Sequence, residues 1–508
     1  MNQKRVGIIL SYINLILGMV INLYITPLLI TTLGDVDYSI YKVMQSFAGP
    51  LSMFHLGISA IVTRSIVKYK ATGDYTEEQK QNTLAHSLLA SGVMSLFVIA
   101  AGTVMWFLIP TIYGGNYDAE SISLGQTIFV IFVLASVFHM MTDAFSGCII
   151  GHEKFAVSAA TQLGRNMLRL LLLVVLMMCN MGVVAVVSVD LILSISVFVF
   201  TLAYSFGKLH ERPKFIFFDK QQIKEILLFG SAILLQAMVN QVNNNVDTII
   251  LGAMVNEKAI ITMYSSALAI YAIYNSLVSV ITNFFLPKAT RLVVNNASGT
   301  ELTDFVISPG RFQAIIAVGC VFGFALFGMN FITIWIGKKY IDAYWVTLML
   351  MIPVTIPLVE NAAISILDAS LKRMFRSVVL VIMAVLNVGA SIVLVSFFGF
   401  WGAAWGTVFS LIIGHGFLMN IYYAKTYKME IGRMFLSIFK GILPAGLAAS
   451  VLCLPMALLL SNTTLWFLVK CLSFVIIYFA FLWLFGMNSS EKDIFRHSFN
   501  KVFRRKKQ

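Results

Sequence analysis

Charged side chains are scarce in this sequence, and acidic ones are the scarcer kind. Asp, Glu, Lys and Arg make up 12% of the 508 residues, whereas hydrophobic residues make up 59%. A soluble domain carries about 25% charged residues, so this composition excludes an ordinary water-facing surface. The formal net charge is +13. No basic domain or recognition motif accompanies it, which argues against nucleic acid as a partner and favours anionic lipid.

Motifs for hydrolysis, nucleotide binding and metal binding are missing as well. The sequence contains no HExxH, GxSxG or P-loop pattern, and its five cysteines stand singly, without a CxxC pair. We therefore expect no enzyme activity, no catalytic residues, no cofactor and no bound metal. Because the chain has no ATP site, we expect its driving force to be an ion gradient or the gradient of its substrate.

Long apolar stretches dominate instead. A helix needs about 20 apolar residues to cross a bilayer, and the connections are too short to hold a soluble domain. The sequence predicts fourteen membrane-spanning helices, at 6–31, 39–64, 84–110, 122–150, 156–179, 183–206, 225–252, 262–287, 311–336, 344–371, 377–398, 402–424, 437–460 and 464–486.

Basic residues occur in blocks at alternate connections between these stretches. The intervening connections hold only Lys258, Lys338 and Lys339. Lysine and arginine concentrate on the cytoplasmic side of membrane proteins, so both termini are predicted to be cytoplasmic.

An internal repeat is predicted from the similarity of 6–64 to 225–287. Repeats of this kind are common in transporters. The resulting all-α division has two six-helix bundles, an additional helix pair and a basic cytoplasmic tail, at 1–210, 211–430, 431–490 and 491–508.

Polar side chains inside two repeat-related spans form stripes at helical spacing. Two such stripes suggest the walls of one hydrated cavity; the alternative is hydrogen bonding between packed helices. The candidate residues are Asn14 and Asn22 in the first span, and Gln236, Asn240, Asn244 and Asp247 in the seventh.

Four basic residues also fall inside predicted spans. Arg165 and Arg169 share a helix face and are candidates for binding an anion; if their helix began later, they would lie at the headgroups instead. Lys42 is a further cavity candidate, although both Lys42 and Lys470 stand near span ends and are expected to extend their amines toward water.

Acidic residues inside the spans have two open interpretations. They could carry a coupling proton or sodium ion, or they could neutralise buried arginines. Glu360 follows Pro353 and Pro357, which are expected to break or kink their helix. The coupling candidates are Glu360, Asp368 and Asp143.

Several segments carry a family resemblance: LGDVDYSIY at 33–41, HLGISAIVTRSIVKY at 55–69, ATGD at 71–74, NVDTIILG at 245–252 and MYSSA at 263–267. They resemble bacterial polysaccharide flippases of the Wzx type, in the multidrug/oligosaccharidyl-lipid/polysaccharide exporter superfamily. The resemblance covers the first two and the seventh and eighth spans well, and the others only in layout.

The resemblance implies a V of two six-helix bundles around a cationic cavity in the bacterial cell membrane. It implies an alternating-access flippase that carries an undecaprenyl-pyrophosphate-linked oligosaccharide from the inner to the outer leaflet, in loose association with a glycan polymerase or glycosyltransferases. Three alternatives stay open: a lipid II flippase, whose branch has arginines that the first span here lacks, a multidrug exporter, and a membrane glycan polymerase or transferase.

The charge pattern predicts sidedness that cysteine labelling can measure. Positions near Lys70, Lys214 and Lys428 should react only from the cytoplasmic side, and positions near Asn116 and Lys338 only from outside. Labelling of Asn116 and Lys214 from the same side would contradict the fourteen-span arrangement.

Overall fold

The computed structural model describes residues 3–51, 57–71, 76–216, 220, 239, 241, 243, 245–279, 286–370, 372–459, 463–489 and 491–493. Within these ranges the chain is helical and has no strands, as predicted. The first nine helices are α1 (Gln3–Leu51), α2 (Ile58–Ala71), α3 (Glu77–Tyr113), α4 (Ala119–Gly151), α5 (Phe155–Met178), α6 (Val183–Gly207), α7 (Asn245–Met254), α8 (Lys258–Ser279) and α9 (Leu286–Val294).

The later helices include two that are followed by π-helical turns, at Ile412–Met419 and Leu482–Gly486. They are α10 (Gly299–Trp335), α11 (Ala343–Val359), α12 (Asn361–Ala369), α13 (Arg373–Phe398), α14 (Phe400–Leu411), α15 (Asn420–Tyr427), α16 (Ile431–Phe439), α17 (Ile442–Leu459) and α18 (Thr464–Phe481).

Membrane-crossing length is reached by eleven helical segments of the described ranges, or by twelve if the bent pair α11–α12 counts as one span. The long α1 contains the first predicted span and the first part of the second, joined at Gly34, whose φ of 73° is not helical. Most of the predicted span 225–252 lies outside the described residues. The multi-pass helical membrane fold is confirmed, while the total of fourteen stays a prediction.

The second predicted span differs from the structure. It is predicted to run without interruption from 39 to 64, but Gly57 has a φ of 60° and forms a turn before α2 begins at Ile58. Apolar patterning alone does not reveal this boundary, because the sequence is apolar both before and after it.

Large apolar side chains cover the outside of the helices. Leu96 is 68% exposed, Phe107 66% and Val451 70%. In water, an apolar surface of this kind would cause protein molecules to associate. In a bilayer the hydrocarbon tails of the lipids contact it with no free-energy penalty for exposure. The exposed apolar residues are thus consistent with a bilayer as the solvent of these helices.

The chain packs into two compact units. Unit 1 contains 1–265 and 387–403, and unit 2 contains 266–386 and 404–508. These units are defined by which residues pack together, whereas the predicted bundles are defined by an internal sequence repeat. The two divisions are not equivalent, so the bundle boundaries stay a prediction.

Helix α4 lies at the centre of unit 1, where it packs against α1, α2, α3, α5 and α6. At Gly147 the backbone of α4 approaches α2 so closely that a Cβ atom would lie 2.6 Å from the carbonyl oxygen of Ser59. Small residues permit this approach where no hydrophobic effect drives helices together in lipid.

The connection after α6 is anchored to unit 1 through Glu211. Its buried carboxylate accepts a 2.8 Å hydrogen bond from Lys80 Nζ and lies 2.7 Å from Nε2 of His152. Burial alone would raise the pKa of Glu211, but the hydrogen bonds from His152 and Lys80 lower it below its ordinary value.

Helix α10 is the centre of unit 2 and packs against α11, α12, α16, α17 and α18. Its buried Arg311 donates from Nε to Glu491 over 2.6 Å and from Nη2 to the Gly486 carbonyl over 2.6 Å. Its Nη1 donates to the carbonyls of Ser437, at 2.7 Å, and Lys440, at 3.1 Å. One guanidinium therefore ties α10 to the ends of α16 and of the π-helical turn after α18.

The helix break predicted near the two prolines is confirmed. Helices α11 and α12 meet at a 41° bend, and Glu360 stands between them. Pro353 and Pro357 lie inside α11 and cannot donate backbone hydrogen bonds, so the helix is weakened just before the bend.

Lys470 corrects a prediction. Its side chain was expected to reach water from the end of its span, but it is fully buried in α18. Position near a span end does not by itself indicate where a side chain turns, because a neighbouring helix can cover it.

We expect Arg311→Lys to destabilise unit 2 by about 3 kcal/mol, because lysine keeps the charge but cannot serve Glu491 and the surrounding carbonyls at once. The matched control is Arg433→Lys, at an exposed ion pair with Glu430, which should cost less than about 1 kcal/mol. Thermal unfolding of both variants in detergent measures the difference. Equal unfolding midpoints would contradict the structural role of Arg311.

Candidate functional site

A polar cavity of about 500 Å³ lies within unit 1. Side chains from the second half of α1, from α4, α5 and α6, and from the segment leading into α7 surround it. The lining residues are Gln45, Ala48, Gly49, Phe132, Ala135, Ser136, His139, Arg165, Asn166, Arg169, Asp190, Ser194, Gln241 and Asn245.

Each helix presents to the cavity residues three or four positions apart. Residues at this spacing share one helix face, so the wall is assembled from pairs of neighbouring residues, each of which supplies at least one polar side chain. The pairs are Gln45 with Gly49, Ser136 with His139, Arg165 with Arg169, Asp190 with Ser194, and Gln241 with Asn245.

Arg169 forms an ion pair within this wall. Its Nε lies 2.8 Å from Asp190 Oδ1, and its Nη2 lies 3.4 Å from Asp190 Oδ2. Arg169 also bonds the hydroxyl of Tyr41. Two interpretations of the acidic residues inside the spans are open from the sequence. This ion pair corresponds to the second, in which the acid neutralises a buried arginine. The positive charge of Arg169 is thus largely balanced within the protein.

Arg165 lies one turn before Arg169 and is bound differently. Its Nε is buried and has no hydrogen-bond partner, and among the described residues no carboxylate forms a salt bridge with it. Helix α5 begins at Phe155, so Arg165 stands ten residues, or about 15 Å, into the helix. Both arginines therefore lie within the body of α5, and their depth in the membrane stays a prediction.

Two further predicted residues touch the cavity wall indirectly. Asn14 accepts a 2.8 Å hydrogen bond from Nδ2 of Asn166, which lines the cavity. Lys42 donates to Gln45 over 3.3 Å and lies above the rings of Tyr38 and Tyr41. Both support lining residues and do not themselves line the cavity.

The structure places the other predicted cavity residues elsewhere. Asp247 is buried and accepts a 2.6 Å hydrogen bond from the Tyr264 hydroxyl, and Asn22 is exposed on α1. Neither lines the cavity. Gln236, Asn240 and Asn244 lie outside the described residues.

The coupling candidates are divided between the units. Asp143 is half-buried in α4, and Asp368 is half-buried in α12. Glu360 is buried at the α11–α12 bend, where it accepts a 2.7 Å hydrogen bond from Nδ2 of Asn420. Among the described residues no basic side chain forms a salt bridge with Glu360.

Of the fourteen lining residues, only Arg165 and Arg169 are candidates from the sequence. The polar residues that were missed are single ones at ordinary helical spacing, and their signal was the recurrence of such pairs on several helices. The missed polar residues are Gln45, Ser136, His139, Asn166, Ser194, Gln241 and Asn245.

The cavity combines amides, hydroxyls, an imidazole and one arginine without an ion pair. Amides and hydroxyls bind sugar hydroxyl groups, and a guanidinium binds phosphate oxygens in a bidentate manner. Among the described residues no group of His, Cys, Asp and Glu could hold a metal ion. The arrangement is suited to holding an anionic, polyhydroxylated ligand.

Solved structures with the same fold are membrane transporters. The lipid II flippase MurJ, in an inward closed conformation, has a TM-score of 0.72 and 15% identity, covering 94% of this chain and 97% of that chain. An inward-facing multidrug resistance MATE family transporter of the MOP superfamily has a TM-score of 0.68 and 12% identity, covering 83% and 99%. The eukaryotic MATE transporter AtDTX14 has a TM-score of 0.58 and 14% identity, covering 86% and 99%.

The sequence itself supports a more specific conclusion than these structural likenesses, which show the fold alone. No curated protein matches the chain. The family model described as "Polysaccharide biosynthesis protein" matches residues 6–294, which is more than half of the sequence. The chain therefore belongs to the family of polysaccharide biosynthesis proteins.

Proposed function

We propose that this protein is a flippase that moves an undecaprenyl-pyrophosphate-linked oligosaccharide from the inner to the outer leaflet of a bacterial cell membrane by alternating access. The observation that carries the proposal is the polar cavity of unit 1, which contains Arg165 without an ion pair. The family and the transporter fold agree with this function.

The cavity has the chemistry that each part of the substrate head requires. The pyrophosphate is an anion, and Arg165 is the arginine whose charge is not balanced by a carboxylate in direct contact. The oligosaccharide offers hydroxyl groups to Gln45, Gln241 and Asn245. A preformed polar site reduces the cost of taking such a head group out of water.

A lipid II flippase is the second candidate, since the solved structure of that name shares the fold. Lipid II also has a pyrophosphate and sugars, so the cavity chemistry alone suits both substrates. The absence of arginines from residues 6–31 favours the polysaccharide substrate. A glycan polymerase or transferase would change glycan length, whereas a flippase changes only the leaflet that the glycan occupies.

The driving force and partners belong to the same proposal. Glu360 is our first candidate for carrying a coupling proton or sodium ion, because it is a buried carboxylate bound by a neutral amide at a helix break. Asp368 and Asp143 are the other candidates. Association with glycosyltransferases or a glycan polymerase stays a prediction.

Proteoliposomes test the function directly. Purified full-length protein should expose a fluorescently labelled undecaprenyl-pyrophosphate-linked oligosaccharide to an impermeant quencher, with no change in glycan length. Arg165→Ala should slow this movement by about tenfold or more, because a hydrogen bond to a charged group contributes about 1.5–3 kcal/mol. Arg165→Lys should retain intermediate activity, since it keeps the charge but loses the bidentate geometry.

Two controls separate binding from folding in this assay. Arg212→Ala changes an exposed arginine in the connection after α6 and should move the lipid at the wild-type rate. Arg169→Ala should reduce the amount of folded protein, because it leaves Asp190 without its partner. Wild-type rates in Arg165→Ala would contradict the proposed role of the cavity.

A further inference from the structure

A second concave surface adjoins the polar cavity and has the opposite chemistry. It is a groove of about 670 Å³ between α1, the first half of α5 and the end of α6. We call it the α1–α5–α6 groove and define it by its lining residues: Leu10, Ala156, Val157, Ala160, Thr161, Gly164, Arg165, Phe200 and Tyr204.

The floor of the groove is a furrow in α5. Ala156, Ala160 and Gly164 follow one another at intervals of four residues, so three small side chains share one helix face. A Cβ atom at Gly164 would have no neighbour within 4 Å. On α6, Phe200 and Tyr204 stand one turn apart with ring centroids 6.0 Å apart. The sequence thus builds a shallow channel with an aromatic edge.

The groove contains few polar side chains, namely those of Thr161, Arg165 and Tyr204. The Thr161 hydroxyl donates to the Val157 carbonyl over 2.9 Å, and most other lining side chains are apolar. From Ala156 to Arg165 the groove follows nine residues of α5, which is about 14 Å. Such a surface accepts a hydrocarbon chain and has little to offer a sugar.

Arg165 belongs to both the groove and the polar cavity. The two surfaces therefore meet at a guanidinium whose Nε has no hydrogen-bond partner. A ligand that occupied both would have a hydrocarbon chain, an anionic junction and a polar head, in that order. A lipid-linked glycan has this order, with a single chain attached to its phosphates.

We propose that the α1–α5–α6 groove binds the part of the polyprenyl chain nearest the diphosphate, while Arg165 holds the diphosphate at the entrance to the polar cavity. This inference rests on the proposed function, because it assigns a binding site for the tail of the proposed substrate. The remainder of the chain stays in the bilayer. Gly164 keeps the groove open beside Arg165, where a Cβ atom would have no neighbour within 4 Å, and so leaves room for the chain.

Binding of undecaprenyl diphosphate to purified full-length protein tests this site. Gly164→Leu fills the furrow and should weaken binding by about tenfold, since the chain loses its apolar contacts. Arg165→Ala should weaken binding as well, because it removes the cation at the junction.

The matched control is Gly92→Leu on α3, which does not line the groove. A Cβ there also has no neighbour within 4 Å. Replacing a helical glycine favours the helix in both variants, so both should fold, and Gly92→Leu should bind like the wild type. Unchanged binding by Gly164→Leu, or equal weakening by Gly92→Leu, would overturn the inference. Displacement of the probe by phosphatidylglycerol as readily as by unlabelled undecaprenyl diphosphate would show a bulk-lipid site and would also overturn it.

The binding assay and the transport assay test the tail site and the flippase function independently of each other. If Gly164→Leu loses binding but the wild type moves no lipid-linked glycan, the tail site stands and the flippase function is wrong. If the wild type moves the glycan and Gly164→Leu moves and binds it equally well, the function stands and the tail site is wrong.

Discussion

The ion pair between Arg169 and Asp190 determines the character of the unit 1 cavity. A charge removed from water is costly unless an opposite charge and hydrogen bonds compensate it. Asp190 and Tyr41 supply that compensation for Arg169. Arg169 and Asp190 neutralise each other. Arg165 is therefore the arginine of the cavity lining whose positive charge is available to bind an anionic ligand. Without Asp190, two arginines one turn apart on α5 would repel each other.

The same requirement shapes unit 2. Arg311 is buried, and its guanidinium donates hydrogen bonds to Glu491 and to backbone carbonyls at helix ends. Glu360 is also buried, yet its hydrogen bond comes from a neutral amide of Asn420. The first arrangement satisfies a charge completely and serves structure. The second leaves a carboxylate without a charged partner at a bend, which is the environment expected of a group that gains and loses an ion.

The features that could be predicted from sequence are those governed by local chemistry. Apolar length predicts the helices, and the prolines before Glu360 predict the bend. The spacing of Arg165 and Arg169 predicts their common face. The rest depends on how helices rotate against one another. Gln45 and His139 line the cavity and Asp247 does not, and Lys470 is covered by neighbours, because packing decides which face of each helix points inward.

Photo-crosslinking tests the central claim that the unit 1 cavity binds a lipid-linked glycan. A photoreactive amino acid replaces His139, which lines the cavity, or Val104, which is 60% exposed on α3. Irradiation of cells that make the lipid-linked oligosaccharide should attach the glycan to the protein at position 139 and not at position 104. No adduct at position 139, or equal adducts at both positions, would contradict the account.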